Sequence, residues 1–404
     1  MRNNRRDFIK KAALAAGAIN LSGMAGQVTH SLMPVEKEET VRVSSLKKPV
    51  AIAMWDFSWI LRHHRYGEFE NWDKVLEGLA ERGYNAIRMD AMPQYVAADT
   101  SGRVEQEFRS VKDGWKPSLW GNDYTMSFRP REALLEFLPL CRKHGIRIGL
   151  ATWFIRHGTE RKDIFLEENG LLRAWQETLA FLESDKLLDN VIYVDLLNEY
   201  PKWHGYDWLS NRLNMLSGDD HKKFYNEFIS TLIATLKAKY PDLDFYASLD
   251  SGMDLDKIDL THFNAMDYHI WFAHSDKIPG LREVSSIDQT LDYRKVYAGL
   301  KDYWAGNKEP LIKWMDGRLT DISSTASKQN IMCGNTEGWG PIFWFDHPEL
   351  DWKWVKESGE ICVDLARKYE NYKFLCTSNF THPQFKGMWE DIKWHKRITS
   401  LIKA

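Results

Sequence analysis

The sequence is poor in cysteine, in net charge and in long apolar runs. Four cysteines in 404 residues (Cys141, Cys333, Cys362 and Cys376) are too few and too irregularly spaced for a disulfide framework or a cysteine metal site. One disulfide or four buried thiols both remain open. A formal charge of −3 provides no basic surface for nucleic acid. A mean hydropathy of −0.48 with 27% charged residues excludes a polytopic membrane protein.

Aromatic residues, by contrast, are abundant. The chain contains 18 Trp, 16 Tyr and 19 Phe. Aromatic rings bury a large apolar area, and their flat faces also form stacking surfaces. The excess therefore gives a first indication of a carbohydrate ligand.

The first residues are typical of a targeting signal. The stretch Asn4-Arg5-Arg6-Asp7-Phe8-Ile9-Lys10 is a twin-arginine pattern, and a weakly apolar run from Ala12 to Gly26 follows it. We therefore expect residues 1–27 to be an export signal that the twin-arginine export machinery reads and that is then removed, leaving a periplasmic or secreted protein. A solvated basic helix is the alternative interpretation. The apolar run is too short for stable membrane insertion.

Removing residues 1–27, which carry a net charge of +4, leaves a mildly acidic chain with a charge of −7. Residues 28–47 are polar and are predicted to form a leader or an extended arm. The folded body is predicted to span residues 48–404 as one domain that ends in an amphipathic helical tail.

Short apolar runs alternate with helical stretches along this body. The predicted strands are Val50–Met54, Ala86–Met89, Arg147–Thr152, Val191–Leu197, Asp244–Leu249, Phe263–His269, Leu311–Met315 and Ile342–Phe345. Helices are predicted to start near Asn71, Pro130, Glu168, Asp219, Ser286, Ser323 and Asp351. Eight strands without polar alternation, which alternate with seven helices, predict an α/β fold of the (β/α)8 barrel class.

A doubly wound open sheet is the competing fold. That fold is expected to carry a glycine-rich phosphate turn after an early strand, and none follows the first strand here. A long insertion, residues 97–129, follows the second predicted strand. Loops after barrel strands form the active-site face, so this insertion is predicted to lie there.

Chemistry-bearing residues occur at the ends of the predicted strands. The fourth strand runs into Asn198-Glu199. Glycoside hydrolysis requires one carboxyl group that protonates the leaving oxygen and a second that acts as nucleophile or base. With Asn-Glu at the end of its fourth strand, the chain resembles glycoside hydrolase clan A, the barrel group that includes cellulases and mannanases. The resemblance spans about residues 48–371 and implies that Glu199 is the acid/base and that Asn198 binds the sugar.

Further strand ends carry the same resemblance. Arg88, in Gly83-Tyr84-Asn85-Ala86-Ile87-Arg88, matches the arginine that braces the catalytic carboxylate in the clan. His269-Ile270-Trp271 is similar to the clan's His-x-Tyr, with Trp271 in place of the tyrosine. Phe343-Trp344-Phe345 implies that Trp344 stacks beneath the sugar. Each of these residues has a structural role as its alternative: a salt bridge for Arg88, a buried histidine for His269 and a core tryptophan for Trp344. Three residues at the ends of the first and third strands are predicted to face the same mouth, in sugar-binding or structural roles: Trp55, Asp56 and Trp153.

The seventh predicted strand departs from the clan pattern. The clan places its nucleophilic Glu at the end of this strand, but the chain reads Glu309-Pro310-Leu311-Ile312-Lys313-Trp314-Met315-Asp316-Gly317. Asp316 is the nearest carboxylate and is one residue late, which places it on the opposite face unless the strand bulges or has ended. Glu337 precedes the eighth predicted strand and is expected near the opposite end of the barrel. Asp250 and Asp346 are further carboxylates predicted at the mouth.

The sequence therefore predicts a glycoside hydrolase that acts on a β-linked glycan or glycoside, with Glu199 as acid/base and Asp316 as nucleophile. We expect retention of configuration and no metal or organic cofactor. The alternative is a cellulase-like barrel that binds sugar but has lost its catalytic residues. The identity of the second carboxylate decides between the two functions.

Overall fold

A computed structural model of the protein describes residues 40–110, 119–122, 125–157, 161–275, 293–340, 346 and 350–404. The chain divides into two units, residues 1–39 and 40–404. The predicted export signal, the first part of the predicted leader and Trp344 lie outside the described residues.

Residues 40–404 form a barrel of eight parallel strands. These are β1 (Val50–Asp56), β2 (Ala86–Asp90), β5 (Arg147–Ala151), β6 (Val191–Asp195), β7 (Phe245–Tyr246), β8 (Ala265–Asp267), β9 (Met332–Asn335) and β10 (Tyr372–Cys376), while β3 (Phe108–Ser110) and β4 (Met126–Phe128) form a separate hairpin. Hydrogen bonds join the barrel strands in the order β7-β6-β5-β2-β1-β10-β9-β8. A parallel bridge between Leu249 and Tyr268 connects the two ends of this order. The predicted (β/α)8 class is therefore confirmed.

Helices between the strands cover the outside of the barrel. They span Ser58–Leu61, Trp72–Glu81, Pro93–Val96, Pro130–Lys143, Asp163–Leu166, Gly170–Ser184, Asp207–Asn214, Gly218–Lys239, Tyr293–Lys328, Lys353–Ala366, Lys386–Trp389 and Ile392–Lys403. Asn71 caps the helix that the sequence predicts there, because its side chain accepts a 3.0 Å hydrogen bond from the backbone N–H of Lys74. Every residue of β1 is buried, as expected for a parallel strand that is covered on both faces.

Aromatic rings fill the barrel interior below the site. The rings of Tyr193 and Tyr246 lie 5.0 Å apart, and each lies 6.1 Å from Phe374. Gly149 makes room for them, since a Cβ at this position would come within 2.0 Å of the Tyr193 ring. The interior of the barrel is therefore a packed core and not a channel.

The last two barrel strands are not where the sequence predicts them. Leu311–Met315 lies inside the long helix Tyr293–Lys328, which also contains the predicted helix start at Ser323. The seventh barrel strand is β9, and the eighth is β10, which pairs with β1 and closes the sheet. The predicted strand Ile342–Phe345 lies outside the described residues.

The insertion after β2 forms a hairpin at the barrel mouth. Strands β3 and β4 pair antiparallel, with Phe108 opposite Phe128. Both rings pack on Tyr95, which lies in the short helix after β2. The hairpin therefore has its own apolar contact with the loops that follow the barrel strands, and it carries Trp120 between its strands.

The other end of the barrel is closed by residues of the predicted leader. Val43 and Leu46 are buried. The Arg42 side chain donates hydrogen bonds to the carbonyl oxygens of Val191 and Asp242. The folded body therefore includes residues from about position 40 and begins earlier than the predicted boundary at residue 48.

All four cysteines are buried free thiols. The structure therefore shows four buried thiols, which is one of the two alternatives that the sequence leaves open. In the described part of the chain, no helix is both long enough and apolar enough to cross a membrane.

Candidate functional site

Five charged side chains converge where the barrel strands end. Asp56 is the last residue of β1, and Arg88 lies in β2. Glu199, His269 and Glu337 follow β6, β8 and β9. Parallel strands present their carboxyl ends on the same side of a barrel, so residues far apart in sequence meet there. All five are buried.

Arg88 lies at the centre of this group. Its Nη1 is 2.8 Å from Asp56 Oδ1 and 3.0 Å from Glu337 Oε2. Its Nη2 is 3.4 Å from Asp195 Oδ2 and donates to the side-chain oxygen of Asn198. Guanidinium geometry suits several carboxylates at once, and the neighbouring acids raise the pKa of Arg88 further. Arg88 is therefore a fixed positive charge in the mouth.

Glu199 and Glu337 both contact the same nitrogen of the His269 ring. The Nδ1 atom of His269 lies 3.2 Å from Glu199 Oε1 and 3.4 Å from Glu337 Oε2. One oxygen of each glutamate and a ring nitrogen of His269 all lie within 4.8 Å of one another. On its other side, His269 Nε2 lies 3.3 Å from the Thr336 hydroxyl and 3.6 Å from Asp267 Oδ2. The histidine is therefore fixed from both sides.

The amide group of Asn198 has a defined orientation. An arginine can only donate, so the side-chain oxygen of Asn198 must face Arg88. The NH2 group then points away from the arginine. It is buried and has no hydrogen-bond partner among the described residues. This leaves a buried donor beside Glu199 for a ligand oxygen.

The electrostatics of the group reflect its burial. Burial raises the pKa of Glu337 well above its usual range, and the negative charges of Glu199 and Asp56 add to this effect. Burial also raises the pKa of Asp56 and of Asp195. Burial opposes the charge on His269, yet the acids Asp267 and Glu337 raise its pKa to about 10. The histidine is therefore a cation at neutral pH.

The same three side chains, Glu199, His269 and Glu337, have the spacing of a metal-binding group. A metal ligand must be a neutral imidazole with a free lone pair. His269 instead carries a proton that its acidic neighbours stabilise. Both ring nitrogens face oxygen acceptors, Nδ1 the two glutamates and Nε2 Thr336 and Asp267, which suits an imidazolium that donates on both sides.

Aromatic side chains form the wall beside Asp56. The indole N–H groups of Trp153 and Trp120 donate to Asp56 Oδ2 at 2.9 and 3.2 Å. Trp271 lies parallel to Trp120 with ring centroids 6.2 Å apart. Trp153 and Trp271 thus border the mouth as predicted, whereas Trp120 was not singled out from the sequence.

The prediction that Trp55 faces the mouth is wrong. Its ring packs on Phe69 and on Phe137 in the outer helix Pro130–Lys143, with centroid distances of 5.0 and 6.3 Å. Its Nε1–H donates to the carbonyl oxygen of Thr381. Adjacent residues of a strand point to opposite faces, so Asp56 faces the site and Trp55 faces the helices.

The prediction that Asp316 is a mouth carboxylate is also wrong. Asp316 lies in the helix Tyr293–Lys328, where its carboxylate is 43% exposed and 3.3 Å from the ammonium group of Lys368. Asp346 does not end the eighth strand, and it accepts hydrogen bonds from Trp352 and Gly387. Asp250 follows β7 and is buried, with Lys202 Nζ 3.4 Å away.

The prediction that Glu337 lies at the opposite end of the barrel is wrong. Glu337 lies two residues after β9, the true seventh strand, and so occupies the mouth. Asp195 and Asp267, the last residues of β6 and β8, were not considered either, although both support the central cations. Apolar residues at helical spacing over residues 311–326 indicate a helix there. The seventh strand must then follow this helix and end just before Glu337.

A barrel with Asn-Glu after its fourth strand and an opposing Glu after its seventh defines a cellulase-like glycoside hydrolase fold. The chain belongs to the cellulase-like family described as sugar-binding cellulase-like, whose model matches residues 52–403. No curated protein matches the sequence.

Solved structures agree with this family. A provisionally named glycoside hydrolase from Parabacteroides distasonis is 31% identical to this chain, with a TM-score of 0.76. The match covers 88% of this chain and 94% of the Parabacteroides chain. A family 5 mannosidase from Rhizomucor miehei is 11% identical, with 90% and 97% covered and a TM-score of 0.52. A family 5 enzyme from Prevotella bryantii, solved with a xyloglucan tetradecasaccharide, is 12% identical, with 89% and 98% covered and a TM-score of 0.51. The last two show the fold alone.

Proposed function

We propose that the protein is a retaining glycosidase that hydrolyses a β-linked glycan or glycoside. The observation that carries this proposal is the pair Glu199 and Glu337, whose nearest oxygens lie within 4.8 Å of each other. Retaining enzymes hold their two carboxyl groups about 5–5.5 Å apart, and inverting enzymes about 6.5–9.5 Å apart. The separation favours direct attack by a carboxylate over attack by an interposed water.

In the first step, a Glu337 oxygen attacks the anomeric carbon while Glu199 donates its proton to the leaving oxygen. The bond to the leaving group breaks, and a glycosyl ester of Glu337 forms. In the second step, Glu199 takes a proton from water, the resulting hydroxide attacks the anomeric carbon, and Glu337 leaves as a carboxylate. Both glutamates return to their starting states.

The neighbouring residues position this chemistry. Arg88 and His269 contact Glu337 at 3.0 and 3.4 Å, so they stabilise its carboxylate in the attacking orientation. The free NH2 group of Asn198 is a donor for the hydroxyl group next to the anomeric carbon. Hydrogen bonds to this hydroxyl strengthen in the transition state of glycoside cleavage.

A barrel that binds sugar without cleaving it is the second candidate, and the family description, which names sugar binding, favours it. The sequence leaves the same alternative open, because the predicted seventh strand does not end in a glutamate. Glu337 follows β9, the seventh barrel strand, and this supports hydrolysis. Activity measurements separate the two functions.

The proposal is tested with a panel of aryl β-glycosides that differ in the sugar. At least one should release its phenol with the wild-type protein. Glu199→Gln should slow hydrolysis most for poor leaving groups, because these need the proton that Glu199 donates, and least for dinitrophenol. Added azide should restore turnover in Glu199→Ala by attacking the glycosyl ester without general base assistance.

Asp250→Asn is the matched control, since it changes another buried mouth carboxylate that lies beside Lys202. It should not reproduce the dependence on leaving group or the response to azide. Sugar binding without phenol release across the whole panel would favour the second candidate. Equal activity of Glu199→Gln on all leaving groups would refute its assigned role.

A further inference from the structure

The indole of Trp120 lies across the barrel mouth. Its N–H donates to Asp56, at the end of the first barrel strand, over 3.2 Å. Its ring lies 6.2 Å from Trp271, with planes 8° apart, and 5.8 Å from His382, with planes 24° apart. Trp271 and His382 follow the sixth and eighth barrel strands. One side chain from the insertion therefore covers the side of the mouth formed by β8, β10 and β1, opposite β6 and Glu199.

Asp56 fixes this indole in place. Its Oδ2 accepts hydrogen bonds from both Trp120 and Trp153, and its Oδ1 is 2.8 Å from Arg88. A buried carboxylate is stable only when its oxygens are paired, so moving any one of these three donors is costly. Through Asp56, the aromatic wall is connected to the arginine that contacts Glu337.

The exposed surface begins near Glu199. Glu337 and Glu199 are both buried, whereas the side chain of Lys202, three residues after Glu199, is 55% exposed. A groove of about 800 Å³ begins there, lined by Pro201, Lys202 and Met253 among others. In the proposed reaction Glu199 protonates the leaving oxygen, so the leaving group lies on the side of Glu199.

We infer that the site is a closed pocket for the terminal sugar at the non-reducing end of a glycan, or for the sugar of a small glycoside. The remainder of the substrate leaves on the side of Glu199. Trp120 blocks the opposite side, and Asp56 is a positioning residue that holds Trp120 and Trp153. This inference rests on the proposed glycosidase function and adds exo action to it.

The test uses the sugar that the aryl glycoside panel identifies. A β-linked trisaccharide of that sugar is prepared in two forms, one with a free non-reducing end and one with a methyl ether on the terminal 4-hydroxyl. The wild-type protein should remove one sugar at a time from the free form. It should cleave the blocked form at least a hundredfold more slowly at either linkage.

Trp120→Ala removes the blocking ring and should reduce this preference to less than tenfold. Tyr66→Ala, which removes an 80% exposed ring, is the matched control and should keep the preference. Asp56→Asn, which keeps one acceptor oxygen, should raise KM for the free form more than it lowers kcat.

Cleavage of the blocked trisaccharide at the same rate as the free one would overturn the closed pocket and leave the glycosidase proposal intact. This comparison needs only the wild-type protein, so it holds even if Trp120→Ala does not fold. Failure of every sugar in the panel to bind or react would instead refute the proposed function, and with it this inference.

Discussion

Glu337 and Asp316 differ in every property that a nucleophile needs. Glu337 is buried and contacts two cations, Arg88 and His269. It shares the Nδ1 atom of His269 with Glu199. Asp316 is half exposed on an outer helix and is paired with Lys368. An exposed ion pair of this kind contributes about 0–1 kcal/mol to stability, so its removal has little effect.

We therefore expect Glu337→Gln to reduce kcat/KM on the best aryl glycoside by about a thousandfold or more. This corresponds to about 4 kcal/mol in activation free energy. Asp316→Asn, the matched change at the carboxylate first predicted from the sequence, should keep kcat/KM within about twofold of wild type. Steady-state kinetics of the two variants measures both effects, and a large loss in Asp316→Asn alone would reverse the assignment.

The pH dependence of activity follows from the pKa of Glu337. Burial and the nearby acids raise this pKa above 4.5, and the nucleophile must be ionised to attack. Activity should therefore be lost as the pH falls through the raised pKa, with the acidic limb of kcat/KM above pH 4.5.

Asp56→Asn removes a negative charge near Glu337, whereas the positive charge of Arg88 remains. The pKa of Glu337 should fall, so the acidic limb of kcat/KM should move to lower pH. A pH profile of kcat/KM for wild type and variant measures the shift. An unchanged limb, or one that moves to higher pH, would contradict the coupling between these carboxylates.

Several site residues could be predicted from the sequence because they end strands with strong apolar runs. Arg88, Asn198, Glu199 and His269 all lie at the mouth, as expected from β2, β6 and β8. Their mutual contacts depend on barrel closure, which brings together residues more than 100 positions apart. Sequence patterns carry no direct information on such pairs.

At the scale of elements, the helix Tyr293–Lys328 explains the main error. Pro310 has no N–H and its ring crowds the preceding turn, so it is typical of a helix boundary. Here the helical stretch is kinked at Asn307, where the backbone angles are not helical, and Pro310 lies in the first turn of the helical segment that follows. Buried residues recur at helical spacing beyond the proline: Leu311, Met315, Leu319, Ile322 and Ala326.

The true seventh strand, β9, gives only a weak signal in the sequence. It has four residues, Met332–Asn335, and one of them is Gly334. A Cβ at this position would lie 2.2 Å from the carbonyl oxygen of Phe374 in β10. Close approach of two strand backbones therefore requires glycine here, although glycine is uncommon in strands.

Two alanine substitutions test these element assignments. Gly317→Ala should raise the free energy of unfolding by about 0.5–1 kcal/mol, because the position is helical and nothing lies within 4 Å of the new Cβ. Gly334→Ala should lower it by about 1–3 kcal/mol, because the Phe374 carbonyl must move. Urea denaturation measures both changes. A loss of stability in Gly317→Ala together with a gain in Gly334→Ala would favour a strand and turn at residues 311–317.

At the scale of the whole molecule, the repeated strand and helix pattern is sufficient to predict the barrel, since two misplaced strands do not change the class. The contribution of the insertion was not predictable. Trp120 meets Asp56 only because the hairpin β3–β4 folds over the mouth. A loop contact of this kind depends on the path of the chain, which local periodicity does not encode.

We propose that the chain is exported by the twin-arginine route, on the pattern of residues 4–10. Replacing Arg5 and Arg6 together by lysine should keep the protein in the cytoplasm, because this route reads the arginine pair. Immunoblots of cytoplasmic and periplasmic or medium fractions measure the distribution. Unimpaired export of the double variant would contradict the proposal.

The most direct measurement is to trap the covalent intermediate. A 2-deoxy-2-fluoro aryl glycoside of the preferred sugar forms the glycosyl ester quickly and releases it slowly. Peptide mass spectrometry of the inactivated protein should then find one fluorosugar, attached to Glu337. Attachment to another carboxylate, or steady turnover with inversion and no adduct, would contradict a retaining mechanism with Glu337 as nucleophile.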